Sequence, residues 1–207
     1  LNDDLLLKLK PLDWIRTVHE ATSEILIKFF EDVTDKNHDE YISYSGGVAL
    51  NVIWNTALKN KFKNLVIPPH CNDEGLSLGA VEYLRIKNKL KPFNLERFPF
   101  CQLDETPKEN ISNDTIKKVA GLLSKGCVVA IYQGNGEIGP RALGNRSILM
   151  NPTLPNAKKK INLIKKRENY RPFGCSILKE FALDYFDVEF ENEYMLYVGK
   201  PKNSNLK

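Results

Sequence analysis

Histidine, paired cysteine and long apolar runs are what this sequence has least of, and each shortage removes a class of protein. Only three histidines (His19, His38 and His70) occur in 207 residues, and no two of them stand as H-x-x-x-H or H-E-x-x-H. The chain alone therefore supplies no convincing metal-binding helix. Its four cysteines (Cys71, Cys101, Cys127, Cys175) are scattered, with no C-x-x-C pair. That spacing fits reduced, mostly buried thiols in a cytoplasmic protein better than a disulfide scaffold or a zinc ribbon. No apolar stretch approaches the roughly 18 residues that a bilayer crossing needs. Leu1 to Pro11 alternates acids, leucines and lysines without a small-residue cleavage site, so it does not read as a secretory leader. Repeats and low-complexity segments are also missing. What remains, 42% hydrophobic and 27% charged residues, is the composition of an ordinary globular protein with one large domain or two small ones. The first residue is Leu, not Met, which fits a piece of something longer.

The net charge of +4 is unevenly spread. Residues 1–110 hold 14 Lys+Arg against 17 Asp+Glu, whereas residues 111–207 hold 16 against 9. Two modules, the second meeting an anion, give such an asymmetry; surface lysines that only keep a domain soluble give it too.

Hydrophobic periodicity orders the chain. Ile15, Val18, Ile25, Leu26, Phe29, Phe30 and Val33 recur at three- and four-residue intervals, predicting an amphipathic helix over Leu12–Val33. After a polar loop (Thr34–Glu40), Tyr41–Ser45 reads as a strand, Val48–Leu58 as a helix, Asn64–Ile67 as a strand and Leu76–Lys87 as a helix. That alternation argues for an α/β unit with parallel strands. Pro92, Pro99 and Pro107, with a polar stretch over Asp104–Asn110, mark a linker. Beyond it come a helix (Asn113–Ser124), an apolar strand (Cys127–Tyr132) and a glycine-rich loop. A strand over Ser147–Met150, a basic helix (Asn156–Arg167) and short strands at Ser176–Leu178 and Met195–Val198 complete the prediction. The second module ends in a polar tail without a closing element and reads as a truncated domain.

Three loops concentrate chemistry. Ser45-Gly46-Gly47-Val48-Ala49-Leu50-Asn51 joins a strand to a helix, where paired glycines let a ligand approach the backbone and a helix start offers N–H groups to a phosphate. Asn51 is expected one turn into that helix, able to hydrogen-bond a ribose or phosphate; a plain tight turn has the same glycines. Pro68–Gly75 gathers His70, Cys71, Asn72, Asp73 and Glu74. There Asp73 is a plausible metal ligand or a helix N-cap, and Glu74 a plausible ribose acceptor. His19 reads as a packed residue of its helix and His38 as a solvated one. In Gly134–Ser147, Arg141 and Arg146 stand five apart on a glycine loop, where their rigid forks are expected to converge on one phosphate or carboxylate. Lys166, Arg167 and Arg171 beside Pro172-Phe173-Gly174 would extend that pocket. The run Lys158-Lys159-Lys160 with Lys165-Lys166-Arg167 lacks interleaved aromatics apart from Tyr170 and Phe173, so nucleic acid is not the expected partner.

These strings together resemble the carbamoyltransferases of the nodulation and antibiotic-tailoring type. The motifs are S-G-G-V-A-L-N, P-x-x-x-D-x-G-x-x-L-G-A, G-x-x-E-x-G-P-R-A-L-G-N-R-S-I-L and K-x-R-E-x-x-R-P-F, with Glu193-Tyr194-Met195-Leu196 also fitting, in order across roughly residues 40–200. The resemblance implies two α/β domains. Residues 1–98 would end an actin- and hexokinase-like domain similar to the tRNA threonylcarbamoyladenosine transferase. Residues 99–112 would link it to residues 113–207, the start of a truncated α/β domain that forms the carbamoyl adenylate from carbamoyl phosphate and ATP. A divalent metal of the iron type in the full-length protein would assist transfer of the carbamoyl group to a small-molecule hydroxyl. By position, Gly46, Gly47, Asn51 and Glu74 would touch the nucleotide and Asp73 the metal. Arg141, Arg146, Lys166 and Arg171 would hold phosphates, with Asn51, Arg141 and Arg146 the catalytic set. Asn135 stands where many members of the family carry a basic residue. The family's H-x-x-x-H pair lies in its amino-terminal part, so this chain alone is expected to be inactive. A tRNA-modifying transferase and a non-catalytic nucleotide-binding module are the alternatives.

Overall fold

The computed structural model describes residues 10–34, 41–92, 98–101, 111–188 and 191–202. The first nine residues, the loop carrying His38 and most of the proline-rich linker lie outside them. Helix α1 (Pro11–Val33) follows the predicted periodicity: Pro11 fixes its first turn, and Asp13 sits at the positive end of the helix dipole. It stops at Thr34, whose extended backbone turns the chain while its N–H and hydroxyl both donate to the Phe30 carbonyl at 3.1 and 2.7 Å. Strands β1 (Ile42–Ser43) and β2 (Leu65–Val66) pair in parallel, Ile42 opposite Leu65. Helix α2 (Val52–Lys61) connects them, which is the predicted βαβ alternation with shorter strands.

The helix expected from Val48 does not run through. Gly47–Leu50 forms a 3-10 turn, and Asn51 leaves helical geometry at ψ 97°. Its side-chain oxygen accepts the N–H groups of Ile53 (3.1 Å) and Trp54 (3.2 Å), so Asn51 is the N-cap of α2, not a residue one turn inside it. A 3-10 turn (Asp73–Gly75) then leads into α3 (Leu76–Lys87).

Phe30, Ala49, Leu58, Phe62, Leu65, Ile67 and Cys71 form the core of this first half, and Leu196, far along the chain, completes it. Asn55, wholly buried, donates one amide hydrogen to the Ala49 carbonyl (2.7 Å) and the other to that of Leu196 (3.0 Å). The Val198 N–H donates to the Thr56 hydroxyl at 2.9 Å. The strand expected over Met195–Val198 is instead a turn. Met195 takes φ 52°, and the Asn192 side-chain oxygen captures the N–H groups of Leu196 and Tyr197 that a ladder would have used. Asn55→Ala removes both bonds, taking this donor from the Leu196 carbonyl and leaving the Ala49 carbonyl only the Cys71 thiol, so it is expected to cost about 2–4 kcal/mol of stability. Denaturant unfolding of the complete protein measures it.

In the second half, α4 (Asn113–Ser124) is capped by Ser112, whose hydroxyl accepts the Thr115 N–H at 3.2 Å. Strands β4 (Val129–Tyr132) and β6 (Arg146–Leu149) pair antiparallel around the glycine-rich loop, from Val129 opposite Leu149 to Tyr132 opposite Arg146. Within that loop β5 (Gly136–Glu137) pairs antiparallel with β3 (Phe100–Cys101), which falls in the stretch expected to be linker. Helix α5 (Ala157–Ile164) ends before the predicted Arg167 because Lys166 adopts φ 50°. Ser176–Leu178 is not a strand: among the described residues nothing pairs with it, and a ladder needs a neighbour. A short α6 (Ala182–Tyr185) precedes β7 (Phe186–Asp187), which pairs antiparallel with β8 (Lys200–Pro201). The described residues thus form a mixed α/β structure with four two-stranded sheets, and none of their helices is long and apolar enough to cross a membrane.

Candidate functional site where three loops meet

The loop after β1 and the loop after β2 are tied together by their backbones. Gly46 sits at φ 113°, ψ 166°, a conformation for which glycine alone pays no Cβ penalty, and its N–H donates to the Cys71 carbonyl at 2.5 Å. Cys71 is buried, with its Sγ 3.6 Å from the Ala49 carbonyl, but Cys127 is half-buried and Cys175 exposed, so the expected burial of the thiols holds for Cys71 alone among the described ones. Beside Gly46 and Gly47 there is open space, since a Cβ on either would meet nothing.

The third loop reaches this junction through Gly139 and Arg141. Gly139, at φ 105°, lies directly against the backbone of Pro69 and His70. The half-buried Arg141 donates from Nη2 to the Leu50 carbonyl at 3.1 Å, across the two halves of the chain. Burial pushes the Cys71 thiol pKa up, and the Arg141 charge nearby pulls it partly back. Burial also holds the His70 pKa below the usual imidazole range, and its ring meets Phe98 edge-on at 5.1 Å. Among the described residues, three buried polar atoms here have no hydrogen-bond partner: Arg141 Nε, His70 Nδ1 and Asn72 Oδ1. Such atoms cost about 1–3 kcal/mol each unless a ligand or water meets them.

Arg146 behaves differently from Arg141. Its Nη1 donates to the carbonyls of Gln133 (2.6 Å) and Asn145 (3.0 Å), and Nη2 to that of Gly134 (3.4 Å). Its guanidinium lies 3.7 Å over the Tyr132 ring. It closes the neck of its own loop. The two arginines expected to converge on one anion thus have no common partner among the described residues. Glu137 braces the same loop from within, one carboxylate oxygen accepting the N–H groups of Leu143 and Asn145, both at 2.8 Å.

Lys166 and Arg171 are exposed on the loop after α5. That loop is shaped by the wholly buried Asn162, which accepts from Arg167 Nε (2.5 Å) and donates to the Arg171 carbonyl (3.1 Å). The Arg167 guanidinium lies 4.2 Å from the Phe173 ring. The Arg171 side chain pairs with Glu168 at 2.7 Å, and a backbone hydrogen bond together with that arginine holds the Glu168 carboxyl below its usual range. Asp73 and Glu74 are exposed in their 3-10 turn, and Asp73 is not a cap, because Gly75 occupies the N-cap position of α3 without a side-chain bond. The described residues contain no cluster of three or more His, Cys, Asp or Glu able to hold a metal ion, so Asp73 alone does not amount to a metal site.

Three polar residues were missing from the predicted set. Glu137 lies inside the quoted G-x-x-E-x-G-P-R string, so a signal for it was present. Asn162 and His19 act through contacts that spacing does not reveal.

Comparison with known proteins accounts for most of the chain. The family model described as Carbamoyltransferase N-terminus matches residues 4–81, and the one described as Carbamoyltransferase C-terminus matches residues 120–207. An uncharacterized protein of Methanocaldococcus jannaschii is 32% identical over 198 residues, 88% of this chain and 38% of its own length. Nodulation protein U of Azorhizobium caulinodans is 32% identical over 197 residues, covering 91% of this chain and 35% of that protein. Nodulation protein NolNO of Sinorhizobium fredii is 31% identical over 197 residues, covering 85% and 29%. The chain spans about a third of the length of the curated relatives it matches. With an N-terminal and a C-terminal match in the expected order, the chain belongs to the carbamoyltransferase family.

Proposed function

We propose that this chain is part of an ATP-dependent carbamoyltransferase that forms carbamoyl adenylate from carbamoyl phosphate and ATP and passes the carbamoyl group to a small-molecule hydroxyl. The observation that carries this reading is the reach of Arg141 to the Leu50 carbonyl, which ties a cation of the phosphate-type loop to the loop that also carries the paired glycines. Carbamate is a poor electrophile. Hydrolysis of carbamoyl phosphate supplies it and releases inorganic phosphate; bonding the carbamate oxygen to the α-phosphorus of ATP then expels pyrophosphate and leaves AMP as a good leaving group. Attack by a hydroxyl on the carbamoyl carbon then releases AMP. Negative charge builds on phosphoryl oxygens in the first step, and fixed cations offset it.

In this reading residues 1–98 end an actin- and hexokinase-like domain, residues 99–112 join it to the next, and residues 113–207 begin the adenylate-forming one. Gly46, Gly47, Asn51 and Glu74 face the nucleotide, and Arg141, Arg146, Lys166 and Arg171 the phosphates. Arg146 would serve through its loop, given its three carbonyl partners. Asp73 would offer one carboxylate to a divalent ion, whose other ligands would come from outside the described residues.

ATP–pyrophosphate exchange by the complete protein tests the proposal. Exchange is expected only when carbamoyl phosphate is present. Its absence in well-folded, metal-supplemented protein would discard adenylate formation.

A further inference from the structure

The geometry points to His19 as a positioning residue that fixes the side-chain amide of Asn51 for nucleotide binding. Asn51 Oδ1 faces two backbone donors, the N–H groups of Ile53 and Trp54 at 3.1 and 3.2 Å. Those donors exclude the flipped amide, which would turn its NH2 group on them. Nδ2 is therefore the atom 2.9 Å from His19 Nε2, and it must donate there. His19 accepts on Nε2 and carries its ring hydrogen on Nδ1.

The imidazole is itself held in place. Its ring lies 4.8 Å from that of Trp54 at 32°, and the Trp54 Nε1–H donates to the His19 carbonyl at 3.1 Å. Helix α1 thus clamps the start of α2 through one residue. Among the described residues both the oxygen and one hydrogen of the Asn51 amide are engaged, which leaves the second hydrogen for a nucleotide. Without an acceptor at position 19 the amide keeps its cap but is free to rock about it, and that remaining N–H loses its fixed direction. This inference rests on reading Asn51 as a nucleotide contact.

Three variants of the complete protein test it, with ATP affinity read by calorimetry and stability by thermal unfolding. His19→Phe keeps a ring against Trp54 and removes the acceptor; it is expected to weaken ATP binding about tenfold, in the range typical of lost outer-shell partners, while Tm changes little. His19→Gln returns an acceptor oxygen and is expected to restore affinity to within about threefold of wild type. Asn51→Ser keeps a capping oxygen but has no amide hydrogen. If Asn51→Ser binds ATP as wild type does, the reading of Asn51 as a nucleotide contact fails and the inference falls with it. Weakened binding in Asn51→Ser, with His19→Phe unchanged, overturns the His19 role alone. So does equal impairment of the Phe and Gln variants, which would make the ring a packing element.

Discussion

Arg141→Ala in the complete protein is expected to lower carbamoyl-phosphate-dependent pyrophosphate exchange by about a hundredfold or more, the size seen when one preorganised donor to a developing charge is lost. Among the described residues Arg141 holds a single backbone carbonyl, that of Leu50, and its buried Nε has no partner. Its donors are thus available in a way that those of Arg146 are not. Arg141→Lys keeps the charge but not the fork, so it is expected to recover only a small part of the rate. Folding should survive both changes, since one hydrogen bond of ordinary strength is removed. Exchange within twofold of wild type in Arg141→Ala would reduce this side chain to a strut between loops.

The second large effect is expected at Gly139. An alanine Cβ there would overlap the Pro69 carbonyl, a backbone atom that has no rotamer to swing away, and φ 105° is strained for any residue with a side chain. The conformation costs about 1–3 kcal/mol and the overlap a similar amount. Gly139→Ala is therefore expected to part the arginine loop from the Pro68–Gly75 loop, lowering Tm and exchange together. Gly144→Ala is the control, because Gly144 shares a positive φ of 111° but faces open space. A clearly smaller loss of Tm in the control assigns the difference to the contact; equal losses would assign both to backbone strain.

The motifs were legible because each is local: strand, glycine turn, helix start. The sequence pattern also found α1, the β1–α2–β2 unit and α4, where apolar periodicity and capping residues agree. It missed where side chains compete with the backbone. Asn51 and Asn192 each draw two N–H groups to one oxygen, cutting short a predicted helix in one case and replacing a predicted strand in the other. It missed β3 because proline-rich surroundings hid a two-residue strand whose partner lies 36 residues on. At the site, spacing placed Arg141 and Arg146 together, yet one reaches outward and the other closes its own loop. That difference depends on which carbonyls the folded loop presents, which no spacing encodes.

The return of Leu196 to the first core has a consequence for how the chain is made. The Asn55 amide waits for a carbonyl 141 residues downstream. At about 5–20 residues per second a ribosome needs roughly 7–30 s to deliver it. Through that interval the nascent first half has Phe62 and Leu65 in place but neither the leucine that seals them nor the acceptor that Asn55 needs. That core therefore cannot close until Leu196 has been made.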